Sequence, residues 1–162
     1  MKSTTEVGMG EIAVSKSDYG VLVTFVGSCV ALCLFDPIRK IGGLAHVMLP
    51  EGKNHIKNSN LQGKYADVAI DTLLQNLITE GAKMHSIKAK IVGGAQIFSN
   101  ETGDNLFSIG SRNIESIKKI LCKKGIPLIS EEIGNNYGRW VKFHIRTGEI
   151  IVKGKKKEEI KI

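Results

Sequence analysis

Seven consecutive apolar residues, Cys29 to Phe35, are closed by Asp36-Pro37. In a strand, successive side chains point to opposite faces, so a run without alternation is apolar on both. It reads as a strand buried on both faces, covered above and below its sheet. Asp-Pro then breaks the run and starts a turn. On either side lie further strand-like stretches. Val21 to Val26 is β-branched and apolar, and Gly42 to Leu49 is apolar up to Pro50. Glu11 to Ser15 is short and alternating. Only Gly27 and Ser28 separate Val21–Val26 from the apolar run.

The first helix signal comes later. Tyr65, Ala69, Leu73, Leu74, Leu77 and Ile78 recur mostly at spacings of three and four, and Gly81 follows. That spacing places them on one helical face. A second helix is expected after Ile109 to Asn113. Its apolar face is Ile114, Ile117, Ile120 and Leu121, and Gly125 ends it. Lys118, Lys119, Lys123 and Lys124 point outward and suit the negative end of the helix dipole. Strands are expected at 87–92, 126–130, 139–145 and 149–153. Several strands precede the first helix, so the order is not a regular alternation of strand and helix. The expected class is α+β with mixed or antiparallel sheets, not a Rossmann fold. The polar segment 51–63 reads as a long, mobile loop.

The chain has 162 residues, which suits one domain. The expected division is a single domain over 1–153 and a Lys-rich tail over 154–162. No apolar stretch approaches the roughly 18–20 residues of a membrane span. Met1 to Gly10 carries Glu6 and no apolar core, unlike a secretory leader. Three cysteines are too few for a disulfide scaffold, so a reducing cytoplasm is expected. Lys plus Arg exceeds Asp plus Glu by 23 to 16, a net +7. A positive field favours acidic partners. Nucleic acid is not expected, because zinc-finger, helix-turn-helix and RNA-binding aromatic signatures are missing. The Lys-rich tail reads as a solvated, frayed end.

One constellation could do chemistry. Cys29 follows Gly27-Ser28 at a strand start, where small neighbours leave room for a bulky substrate. A tight turn also exposes backbone N–H groups that could hold an oxyanion. A thiol attacks as its thiolate, so it needs a base nearby. His46, seventeen positions on, lies on the next strand and can sit beside Cys29 if the two strands are neighbours. Thr24 could orient the imidazole through its hydroxyl or carbonyl. The same residues also fit a buried small hydrophobe and a satisfied core histidine. Cys33 lies about 13 Å along the strand from Cys29, too far for a disulfide or a shared zinc ion. Cys33 and Cys122 are expected in the core. His55, His85 and His144 have no neighbour at metal-ligand spacing, so no metal is expected.

Seven blocks, in order, resemble the CheD family of chemoreceptor glutamine deamidases. They are residues 24–37 (TFVGSCVALCLFDP), 43–50 (GLAHVMLP), 64–71 (KYADVAID), 89–95 (AKIVGGA), 109–113 (IGSRN), Gly138-Arg139 and Thr147-Gly148. The resemblance implies hydrolysis of glutamine side-chain amides in bacterial chemoreceptors, giving glutamate and ammonia without a cofactor. It implies Cys29, His46 and Thr24 as the catalytic set, with Gly27 and Ser28 at the oxyanion and substrate pocket. It implies an α/β/β/α sandwich like that of bacterial toxin deamidases. Receptor cytoplasmic helices are the implied partner, and a CheC-type phosphatase is a further one. Two other roles fit the same residues: a non-catalytic adaptor, and a methylesterase-like hydrolase.

Overall fold

The computed structural model describes residues 3–52, 61–97 and 108–162. Most of the segment expected to be a mobile loop, 53–60, lies outside them, as does His55. The described residues form two five-stranded sheets and two α-helices. One sheet contains β1 (Ser3–Glu6), β3 (Gly20–Val26), β8 (Arg139–His144), β9 (Ile150–Gly154) and β10 (Ile160–Lys161), in that order. The other contains β2 (Ile12–Ser15), β5 (Ile41–Val47), β4 (Val30–Asp36), β6 (Lys88–Gly93) and β7 (Leu128–Ile133). Each sheet is mixed: β1 runs parallel to β3 and β6 parallel to β7, and the remaining pairs are antiparallel.

The apolar run is the middle strand of the second sheet, and every residue of β4 is buried. Val30, Leu32 and Leu34 face a core shared with the helices. Ala31, Cys33 and Phe35 face a second core between the two sheets. Each large aliphatic side chain buried there contributes about 1.5–3 kcal/mol, which is what holds the layers together.

Helix α1 (Ala66–Thr79) and helix α2 (Ile109–Lys124) both cover the β4 sheet. The α+β class with mixed sheets therefore holds. The second helical layer of an α/β/β/α sandwich is not among the described residues. There the outer face of the other sheet carries exposed Phe25 and Trp140.

Helix α1 buries Ala69, Leu73, Leu74 and Leu77 as the spacing predicts, while Ile78 turns out to solvent. Helix α2 starts at Ser108, whose hydroxyl accepts from Ser111 N. It ends at left-handed Gly125, with Ile126 N donating to Leu121 O, a Schellman closure. Its buried stripe runs Asn113, Ile117, Leu121, so two expectations change. Ile114 and Ile120 lie only at the edge of the core. Cys122 is one position past the stripe, about 100° round the helix, and is exposed rather than in the core.

The tail is also corrected: it does not fray. Ile160 and Lys161 pair with β9, and Ile162 packs on the inter-sheet core. The Ile162 carbonyl accepts from buried Lys90 Nζ at 2.9 Å, and Gly148 O accepts from the same ammonium at 2.7 Å. A buried ammonium needs such acceptors, and the tail supplies one. Among the described residues, no helix is long and apolar enough to cross a membrane.

Candidate active site

The Gly27-Ser28 connection is not a hairpin. It carries the chain from β3 in one sheet to β4 in the other, so Cys29 sits at the crossing, half-buried. The end of β6 anchors this crossing: Ala95 N donates to Gly27 O and Gly94 N to Cys29 O, both at 2.9 Å. Gly93 must be glycine here. Its φ is +115°, and a Cβ would strike Cys29 O.

Strands β4 and β5 are antiparallel neighbours, with Ala31 opposite His46. Cys29 lies two positions along from Ala31 and shares its face of the sheet. Cys29 precedes β4 and packs against the same inter-sheet core, next to Val30, whose partner Val47 adjoins His46. His46 is buried, and so is Thr24, which projects from β3 of the opposite sheet. Thr24 Oγ1 donates to Val7 O at 2.7 Å and lies 2.8 Å from His46 Nδ1.

These two contacts fix the imidazole. A hydroxyl has one proton, and a carbonyl can only accept. The Thr24 proton goes to Val7 O, so His46 Nδ1–H must be the donor to Thr24. Nε2 keeps its lone pair, as a general base requires. Burial pushes the His46 pKa below its ordinary 6.5, outweighing the Val7 carbonyl and the charge of Glu11, which raise it. Burial pushes the Cys29 thiol up. Both shifts favour a neutral thiol beside a neutral imidazole.

Cys33, two residues past Ala31, is fully buried, and burial raises its thiol too. It belongs to the core, as expected. Among the described residues, no group of three or more His, Cys, Asp or Glu side chains could hold a metal ion.

Known relatives share this sequence. Residues 48–154 match the family model for CheD chemotactic sensory transduction. The chain is 44% identical over 148 residues to the chemoreceptor glutamine deamidase CheD of Thermotoga maritima, covering 91% of this chain and 89% of that one. It is 42% identical over 148 residues to the probable chemoreceptor glutamine deamidase CheD of Caldanaerobacter subterraneus subsp. tengcongensis, covering 91% and 90%. The chain belongs to the CheD family. Among solved structures, hypothetical protein YfiH of Bacillus licheniformis matches with a TM-score of 0.45 and 16% identity, covering 82% of this chain and 59% of that one. The CheD family match begins at residue 48, after Thr24, Cys29 and His46.

Two contributors escaped the sequence reading. The Val7 carbonyl fixes the hydroxyl of Thr24, but a backbone acceptor carries no side-chain signal. Asn113 is fully buried against the Gly27-Ser28 turn, donating through Nδ2 to Ser28 O at 3.2 Å and Met48 O at 3.0 Å. Its signal was there, as the end of the block 109–113.

Proposed function

We propose that this chain hydrolyses glutamine side-chain amides of chemoreceptors, with Cys29 as nucleophile, His46 as base and Thr24 as the group that orients His46. The observation that carries the reading is the Thr24–His46 contact, which leaves Nε2 as the basic nitrogen on the face shared with Cys29. The names of the relatives supply the substrate class.

The Cys29 proton passes to His46 Nε2 as Sγ attacks the glutamine Cδ. A C–S bond forms, and the carbonyl oxygen becomes an oxyanion held by the Cys29 backbone N–H. His46 returns the proton to the departing ammonia as the C–N bond breaks. Water, deprotonated by His46, then attacks the thioester and releases glutamate and the thiol. The neutral resting pair makes His46 a base that acts during attack. Adaptation of chemotaxis is the physiological setting of this step. A CheC-type phosphatase is a further candidate partner through family membership. Ammonia released from a purified receptor cytoplasmic fragment tests the reading. Wild type should release it and Cys29→Ala should not, and release by both would reject Cys29 as nucleophile.

A further inference from the structure

Asn113 is the last residue of the block 109–113, and the reaction above makes no use of it. It sits on α2 and faces the β4 sheet, fully buried. Both of its side-chain partners are carbonyls, Ser28 O and Met48 O. Carbonyls only accept, so the NH2 end must face them, and Oδ1 is left buried without a partner among the described residues. A leucine of similar size would fill the space without stranding an oxygen. The position therefore requires the two donors.

What the donors hold is specific. The Ser28 carbonyl belongs to the same peptide unit as the Cys29 N–H. The described peptide bonds include no cis unit, so these two groups point in opposite directions. Fixing Ser28 O towards α2 turns the Cys29 N–H away from it. The second donor, to Met48 O, ties the amide of Asn113 to the segment that follows β5. His46 itself is held elsewhere, by the β4–β5 ladder and by Thr24.

We infer that Asn113 is a positioning residue that aims the Cys29 backbone N–H at the developing oxyanion. This rests on the hydrolytic reading of Cys29. Its test separates attack at a carbonyl, which forms an oxyanion, from attack at a saturated carbon, which forms none.

Acylation by p-nitrophenyl acetate joins Sγ to the acetyl carbon and expels p-nitrophenolate through an oxyanion. Alkylation by iodoacetamide displaces iodide at a CH2 group. Asn113→Leu and Asn113→Ala should slow the acylation burst at Cys29 by about tenfold to a hundredfold, approaching the loss of an oxyanion donor. Alkylation of Cys29, followed by peptide mass spectrometry, should stay within about twofold of wild type, because no oxyanion is formed. Equal losses in both reactions would mean a general structural role and overturn the inference, as would no loss in either. The Leu variant keeps the volume if the Ala variant fails to fold. Failure of wild type to release ammonia from receptors would reject the proposed substrate and leave this comparison readable. Failure of wild-type Cys29 to acylate at all would overturn both.

Discussion

Thr24 Oγ1, on one sheet, lies 2.8 Å from His46 Nδ1, on the other. This contact crosses the inter-sheet core and ties the two layers near Cys29. It also makes the tautomer of His46 depend on a residue from the opposite layer. A threonine can fix the tautomer but supplies no negative charge to stabilise an imidazolium. Losing it should cost less than the roughly 10⁴-fold drop that follows when a carboxylate orienter is replaced.

Thr24→Ala should lower kcat by about 10–100-fold, and His46→Ala should cost more, up to about 10⁴-fold for loss of a general base. Thr24→Ser should recover much of the rate, because it keeps the hydroxyl. Steady-state deamidation rates check the order. Equal losses in the Ala variants would remove Thr24 from its role.

The pH dependence follows from His46. Its pKa in the folded chain lies below 6.5, because burial disfavours the imidazolium. The base is neutral above that folded value, so kcat/KM should fall as pH drops through it, with an inflection below 6.5. Stability moves the same way. Between the folded value and 6.5 the unfolded chain binds more protons, so stability declines as pH falls across that window and is flat in this respect above it. Urea titrations across the window, with His46→Ala as control, should show the slope in wild type alone.

The three cysteines should separate by reactivity. Cys122 is exposed and should be alkylated first, while buried Cys33 should resist until the chain unfolds. Cys29, half-buried with its thiol raised by desolvation, should react at neutral pH only with help from His46. In His46→Ala its reaction should move to pH values above 9.0. Timed alkylation with peptide mapping reads all three sites.

Arg139 is fully buried and paired with Glu132, and its guanidinium also donates to Gly134 O at 2.8 Å. The same loop backs the end of β6 that anchors the Gly27-Ser28 turn, since Gly134 N donates to Gly93 O and Asn135 O accepts from Gln96 N. Arg139→Met leaves Glu132 without its cation and should destabilise the chain by about 3–5 kcal/mol, the range for breaking a buried pair. Urea denaturation measures the loss. A change within about 0.5 kcal/mol, the range of neutral surface substitutions, would show that the pair adds nothing.

The apolar strands and the placement of His46 on one of them were legible because they leave marks in side-chain pattern. Cys29 to Phe35 had to be buried on both faces, and His46 lay on the following apolar strand. What the pattern could not show was pairing. Gly27-Ser28 looks like any tight link, yet it joins two sheets, because β3 finds its partners in β1 and β8, the latter more than a hundred residues on. Such long-range pairing is decided by the cores, not by the local residues. The short strands β1 and β10 were missed for the same reason. Ser3 to Glu6 and the Lys-rich end are polar, and they pair only because β3 and β9 offer free edges. Asn113 leaves no such mark, since the helical spacing picks out apolar positions and passes over a buried amide.

The most direct measurement is peptide mass spectrometry of a receptor signalling fragment after incubation with wild type and with Cys29→Ala. Conversion of defined glutamines to glutamate by wild type alone is the predicted result. The account is contradicted if folded wild type leaves every receptor glutamine unchanged, or if Cys29→Ala converts them at the same rate.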